Sequence, residues 1–237
     1  FVGLFSSLLT PGSSTAAPSR DPLGIYEGTA NSTSIASGRI SYVLGFTGPC
    51  LPVDTACSAS LVATHLAATS LRQNECSSPG VVAGSILETG LHVAFSTADM
   101  LSETGRCHPF DGRADEYSRC EGCVGFVCDT SQDGPSIRGS AVKQDGPSAS
   151  LTAPNGASQR MLLQRVSESI GAAHDVAALE AHGTGTTLGD PVEIGAASAA
   201  LRGSTVACTS IKGNFGHLEV AAAAIGLNSL LLFPLSC

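Results

Sequence analysis

Three short segments of this sequence share one grammar: an apolar run, a sharp turn, a reactive side chain, then a helix or a glycine loop. They are Val53-Asp54-Thr55-Ala56-Cys57-Ser58-Ala59-Ser60, Glu180-Ala181-His182-Gly183-Thr184-Gly185-Thr186 and Lys212-Gly213-Asn214-Phe215-Gly216-His217. Cys57 falls just ahead of a helix expected over 58–73. Unpaired amide N–H groups and the macrodipole favour an anion there, so a cysteine pKa falls and the reactive thiolate is favoured. The competing reading of Cys57 is a small buried hydrophobe. His182 and His217 each stand beside glycines at an expected strand end, among neighbours too small to fill the space around an imidazole. Small neighbours leave room for a substrate, and glycine lets backbone N–H groups approach it. Either histidine alone would be read as structural; with Cys57 they make a Cys/His/His constellation.

Other patterns carry less. The loop Gly183-Thr184-Gly185-Thr186-Thr187-Leu188-Gly189 is one residue too long for a dinucleotide fingerprint and lacks the lysine of a phosphate-binding loop, so nucleotide binding is rejected. Cys120-Glu121-Gly122-Cys123, with Cys107, His108 and Cys128 nearby, has no second CxxC and no finger spacing, so no metal site is expected.

The elements that must position these residues alternate between strand and helix. A helix is expected within 37–44, a buried strand at Cys50–Val53, a helix at 58–73 and a strand at Val81–Gly84. Residues 85–145 show weak periodicity and many turns. Arg160–Ile170 reads as an amphipathic helix and Val176–Ala181 as a strand. A glycine-rich loop follows over Gly183–Asp190, and Pro191 then opens a helix to Leu201. Val206–Ile211 is expected as a strand and Lys212–His217 as a loop. Glu219–Leu232 should be a helix with Val220, Ala223, Leu227 and Leu230 on one face. Residues 10–24 read as a Pro/Ser/Gly loop, and Phe1–Leu9 as a strand end. In open α/β sheets ligands collect beyond the carboxyl ends of the strands, where three such side chains can converge. The fold class expected is α/β, a βαβ architecture with the sheet covered on both faces.

Composition agrees. The 237 residues are 43 % hydrophobic and only 14 % charged, with 27 glycines, no tryptophan and 5 % aromatics, so Ala, Val, Leu and Ile must pack the core. The net charge of −8 with no Lys/Arg cluster argues against nucleic acid and anionic membrane as partners. No stretch is long and apolar enough to span a bilayer. Nine cysteines, an odd number without a secretory signal, point to free thiols in a reducing compartment, cytoplasmic or other. In that setting Asn31-Ser32-Thr33 is a loop rather than a glycosylation site.

The three motifs resemble those of β-ketoacyl synthases, specifically the ketosynthase domains of modular type I polyketide synthases, in the order that family has them. Supporting matches are Gly38-Arg39-Ile40-Ser41-Tyr42, Gly105-Arg106-Cys107 with Phe110-Asp111, Ile137–Val142, Leu151–Gly156 and Gly189-Asp190-Pro191-Val192-Glu193. The resemblance implies a thiolase-like αβαβα fold, usually a homodimer, and decarboxylative Claisen condensation. Cys57 would accept an acyl group from an acyl carrier protein, its N–H helping to form an oxyanion hole. His182 and His217 would assist decarboxylation and donate to the enolate-like oxygen, and Lys212 would order them. Thr184 and Thr186 would bond the phosphopantetheine arm, with Glu121, Asn214 and Phe215 in supporting positions. That arm belongs to the carrier protein, so no cofactor of the enzyme's own is implied. Acyl carrier protein and other synthase domains such as an acyltransferase are the implied partners.

Against the family pattern the chain is expected to be a partial ketosynthase domain, without the opening strands and without the final strands and their gating loop. Residues of about 1–130 would end the N-terminal half and about 131–237 begin the C-terminal half. Cys120 replaces a usual glycine, Thr97-Ala98-Asp99 varies a usual lysine-containing turn, and the stretch 127–137 is short. The alternatives are a fatty-acid β-ketoacyl synthase, or an inactive fragment that only binds a carrier protein or dimerises.

Overall fold

The structure is a computed structural model that describes residues 2–8, 29, 32–131, 133–150, 152–171, 176–202 and 205–232. The chain divides into two compact units. The first comprises Phe1–Asp99, Arg119–Ser131 and Leu218–Ile225; the second comprises Met100–Ser118, Gln132–His217 and Gly226–Cys237. The Pro/Ser/Gly loop expected over 10–24 lies outside the described residues.

The first unit is built on a four-stranded sheet in the order β2-β1-β3-β4. Its strands are β1 (Leu4–Leu8), β2 (Cys50–Pro52), β3 (Gly80–Ser85) and β4 (Gly122–Val127). β1 pairs parallel with β2 and β3, whereas β4 runs antiparallel to β3, with Val81 opposite Phe126 and Ala83 opposite Val124. Between the strands come α1 (Thr33–Leu44), α2 (Ala59–Arg72) and α3 (Thr89–Thr97). Helix α2 turns Ala59, Ala63 and Ala67 inward. Small side chains at this i, i+4 spacing let the helix lie close to the sheet, where Ala63 and Ala67 meet Phe5 and Val81. On the same sheet face, Ala83 and Val124 pack with Leu218, Ala221, Ala222 and Ala224. The opposite face is covered less fully than expected: Leu4 is buried, but Cys123 and Val127 on β4 are exposed.

The second unit holds a parallel pair, β5 (Ala178–Glu180) and β6 (Ala207–Thr209), with Leu179 opposite Cys208. Helix α4 (Gly156–Ile170) packs on α5 (Gly189–Ala200). α4 is capped by Asn155, whose side-chain oxygen accepts the Ser158 N–H at 3.1 Å. Lys212–Phe215 forms one helical turn, α6. A 3₁₀ turn at Glu219–Ala221 leads into α7 (Ala222–Leu232).

Several expectations are corrected. β2 is an edge strand with Leu51 and Pro52 exposed, not a buried one, because it pairs on one side only. The stretch 85–145 contains α3 and β4. α3 buries none of its residues and so carries no 3.6-residue stripe to read, and β4 is interrupted by two glycines. Lys212–His217 is not all loop: the N–H groups of Asn214 and Phe215 return to the Ile211 carbonyl and close a turn. Of the expected stripe on the last helix Val220 is buried, Ala223 and Leu227 are half-buried and Leu230 is exposed, while Ala221, Ala222 and Ala224 are buried beside it. The tighter 3₁₀ turn at its start rotates the face. Ile is absent from the buried hydrophobics among the described residues, and Ala supplies half or more of them.

Candidate active site

In the first unit the chain leaves β2 and makes a tight turn before α2. The Ala56 N–H donates to Asp54 Oδ1 at 3.1 Å, and Ala56 takes φ +52°, which a side-chain-bearing residue adopts only when its surroundings enforce it. Ser58 Oγ donates back to the Thr55 carbonyl at 2.9 Å, and the Ala59 N–H donates to the Ala56 carbonyl at 2.9 Å. Asp54, Thr55 and Ser58 thus spend their polar groups on the turn. The half-buried thiol of Cys57 stands just ahead of α2, at the end that carries the positive pole of the helix dipole.

In the second unit the loops after β5 and β6 are tied to each other. The Glu180 carboxylate accepts the Ile211 N–H at 2.7 Å and the Thr209 hydroxyl at 2.8 Å, and Ser210 Oγ donates to the Gly183 carbonyl at 2.8 Å. The Glu193 carboxylate, on α5, takes both the His182 N–H at 2.6 Å and the Gly183 N–H at 2.9 Å. The His217 N–H is held by the Ser118 carbonyl at 2.7 Å. These anchors bring the two imidazoles together, centroids 5.5 Å apart and planes at 82°. The Tyr117 ring also packs on His217, centroids 5.2 Å apart, so that imidazole is not surrounded by small residues alone.

Both histidines are held neutral. Burial, with His182 and then Lys212 as lesser causes, pushes the His217 pKa down to about 3. Desolvation, with Lys212 second, pushes His182 down to about 4. His217 is sealed at 2 % exposure, while His182 keeps an accessible face and is crowded rather than enclosed. Lys212 is itself buried on α6. A neutral imidazole beside a buried cation can donate a hydrogen bond to a developing oxyanion without first having to lose charge.

The remaining expected residues are placed as follows. Thr184 is buried, and its hydroxyl donates to that of Thr186 at 3.4 Å. Thr186 Oγ1 accepts the Gly189 N–H at 3.2 Å and so holds the start of α5. Asn214 and Phe215 are exposed on α6. Glu121, in the first unit, accepts the Leu87 N–H at 3.1 Å. Of Cys120, Cys123 and Cys128, Cys123 is exposed and Cys120 Sγ donates to the Glu121 carbonyl.

Residues 1–133 match the family described as β-ketoacyl synthase, N-terminal domain, and residues 135–233 match β-ketoacyl synthase, C-terminal domain. The chain belongs to the β-ketoacyl synthase family. It is 44 % identical over 225 residues to a phenolphthiocerol/phthiocerol polyketide synthase of Mycobacterium tuberculosis, covering 89 % of this chain and 10 % of that protein. It is 43 % identical over 222 residues to erythronolide synthase EryA2 of Saccharopolyspora erythraea, covering 87 % of this chain and 6 % of that protein. Among solved structures it resembles the ketosynthase from module 6 of the bacillaene synthase from Bacillus subtilis, with TM-score 0.84, 32 % identity, 98 % of this chain and 42 % of that one. It also resembles the oxazolomycin ketosynthase domain of Streptomyces albus, with TM-score 0.85, 30 % identity, 98 % of this chain and 43 % of that one. The fold is therefore the thiolase-like α/β fold of polyketide ketosynthases. The chain spans less than half the length of these structures and a tenth or less of the curated relatives named here.

In the sequence Asp190 and Glu193 stand out only as part of a motif, not as anchors. Asp190 is buried and takes the Phe110 N–H at 2.9 Å and the Gly185 N–H at 3.2 Å, so it fixes the histidine loop as Glu193 does. The usable signal was a carboxylate pair spaced i, i+3 at the start of a helix that follows a glycine loop. The buried pair Arg119–Glu219 was missed entirely. A groove of about 400 Å³ beside β5 and β6, lined by Leu179, Ile194, Leu201, Val206 and Cys208, contains none of the candidate residues.

Proposed function

We propose that this chain carries the nucleophile and both histidines of a polyketide chain-elongating ketosynthase. The reading is supported above all by two neutral imidazoles held edge-on beside a buried lysine, in a family whose motif also places Cys57 at the head of a helix. In the first half-reaction the Cys57 thiolate attacks the carbonyl of a carrier-bound acyl thioester. A new C–S bond forms, the acyl–carrier C–S bond breaks and the carrier leaves as its thiolate, and the acyl group rests on Cys57. In the second, a malonyl-type thioester loses CO₂; the electron pair of the broken C–C bond passes to the thioester as an enolate. His182 and His217 donate hydrogen bonds to its oxygen, and Lys212 supports them through the local field. The enolate carbon attacks the acyl-Cys57 carbonyl, a C–C bond forms, the C–S bond breaks, and the thiolate is regenerated.

The substrates arrive on a carrier protein's phosphopantetheine arm, which Thr184 and Thr186 help to bind; the enzyme supplies no cofactor of its own. Glu121, Asn214 and Phe215 support the site. Acyltransferase and other synthase domains work beside it. The free thiols of the described cysteines suit a reducing compartment. Among the described residues no helix is long and apolar enough to cross a membrane. A homodimer is part of the reading: among the described residues β2 stands at the edge of its sheet with Leu51 at 45 % exposure, and an edge strand can pair with another chain.

The deciding experiment supplies the chain with an acyl thioester and malonyl thioester on carrier protein. A β-ketoacyl product that disappears in Cys57→Ala supports the reading. Turnover that survives the substitution, or free acid as the only product, overturns it.

A further inference from the structure

Two stretches about a hundred residues apart are laced rung by rung. The ring of Tyr117 lies 5.2 Å from that of His217. The Ser118 carbonyl accepts the His217 N–H at 2.7 Å. Arg119 Nε donates to Glu219 Oε1 at 2.5 Å. The last rung is chemically the oddest. The Arg119 side chain is wholly buried and that of Glu219 is 12 % exposed, so both charges have been taken from water. Such pairs add little stability over apolar residues of the same size, so their presence calls for another explanation.

The surroundings show what the pair fixes. Arg119 Nη1 donates to the Glu88 carbonyl at 3.4 Å, and the guanidinium lies 5.3 Å from the centre of the Phe95 ring. Glu219 Oε2 accepts the Ser85 hydroxyl at 3.4 Å. Glu219 itself takes φ +48°, a conformation held at a cost wherever a side chain is present. Leu218, between His217 and Glu219, is buried in the core against Ala83 and Val124. It lies so close to Gly122 that a Cβ there would fall 2.9 Å from Leu218 Cδ2. The main chain leading out of His217 is thus pinned at each of the next two residues. Ser118–Arg119, the ion pair, Glu219–Leu218–His217 and the His217 hydrogen bond close into one small ring.

We propose that Arg119 and Glu219 are positioning residues for His217: the ion pair closes the ring that fixes where the imidazole stands. Neither residue touches the reacting atoms. The inference rests on the reading of His217 as an enolate hydrogen-bond donor given above. It predicts a division between the half-reactions, because acylation needs the thiol whereas decarboxylation needs His217 in register.

The test uses the whole chain with Arg119→Met/Glu219→Leu, which removes both charges at similar volume and is expected to fold. Glu219→Gln serves as a second variant. Acylation of Cys57 by an acyl thioester, followed by intact mass, is expected to proceed at the parent rate. Release of CO₂ from a malonyl thioester is expected to fall about tenfold to a hundredfold. The His217 amide should exchange with deuterium faster, while the amides of α2 keep their protection. A double variant with unchanged CO₂ release, or unchanged His217 exchange, overturns the proposal. So does an acylation rate that falls in step with decarboxylation, which would mark the pair as merely structural. His217→Ala separates the two layers. If it releases CO₂ as fast as the parent, the reading of His217 has failed, and amide exchange alone then decides whether the pair positions that residue.

Discussion

The imidazoles of His182 and His217 meet edge-on, centroids 5.5 Å apart and planes at 82°, and each is held uncharged by what surrounds it. Two imidazolium ions at that separation would repel, and the sealed His217 has no water to offset the charge, so the pair is built to stay neutral.

Stability should therefore depend on pH with a definite sign. Both folded-state values, about 4 for His182 and about 3 for His217, lie below the ordinary 6.5. Between those values and 6.5 the unfolded chain binds protons that the folded chain refuses, so stability rises with pH across this window. The contribution is complete above pH 6.5 and is lost as pH falls towards 3. Urea midpoints measured from pH 7.5 down to 5 should decline, and His217→Asn should flatten that slope. A slope unchanged by the substitution would show that His217 is not held neutral by burial.

The nine thiols should not react alike. Burial and the carboxylates of Glu193, Glu180 and Asp190 raise the Cys208 pKa although the residue is exposed, and burial with Asp129 raises that of Cys128. A limiting cerulenin-like electrophile at pH 7.5 should then modify Cys57 first, with Cys208 and Cys128 lagging. Peptide mapping checks the order. Labelling of Cys208 at least as fast as Cys57 would remove the case for an activated thiol at the helix head.

Much of this was legible beforehand because it depends on local chemistry. Asp54-Thr55-Ala56-Cys57 announces a turn, and Leu61, Leu66 and Leu71 among alanines announce a helix against a sheet, although the inward face is that of Ala59, Ala63 and Ala67 and Leu61 is exposed. The glycines after His182 announce a loop that must pass near other backbone. What was illegible depends on pairing at a distance. α3 has no buried stripe, the exposure of β2 follows from its place at the sheet edge, and the Arg119–Glu219 pair joins residues separated by 100 positions. No window of the sequence contains both members of that pair. Asp190 and Glu193 lay between these cases: visible as a motif, their roles as backbone acceptors became clear only once the loop was folded over them.

Those two carboxylates make a further prediction. Glu193 accepts the N–H groups of His182 and Gly183, and an amide in its place would turn an NH₂ group toward one of them. Glu193→Gln should cost about 2 kcal/mol, in the range for hydrogen bonds to a charged group. It should also slow decarboxylation more than Cys57 acylation. Denaturant titration and the two half-reaction rates check it, and equal slowing of both halves would reduce Glu193 to a purely structural role.

Glycine substitutions offer a contrast that separates the histidine loop from ordinary helix. At Gly183, with φ +39°, an added Cβ would lie 2.7 Å from Ser210 Cβ and 2.8 Å from Phe110 Cζ. At Gly185, with φ +82°, it would lie 2.7 Å from the His108 backbone nitrogen. The Gly185 neighbour is main chain and cannot swing aside, so Gly185→Ala combines backbone strain with overpacking and should cost about 2–4 kcal/mol. Gly183→Ala meets Ser210 Cβ, which is fixed to its own backbone, and the Phe110 ring at a strained φ, and should cost a similar amount. Gly195 lies within α5 with nothing inside 4 Å of an added Cβ, so Gly195→Ala should stabilise by about 0.5–1 kcal/mol through helix propensity alone. Urea denaturation of the three variants tests the ranking directly. A Gly185→Ala variant as stable as the parent would mean that the loop is not held against His108, and the placement of His182 would have to be rebuilt from that point.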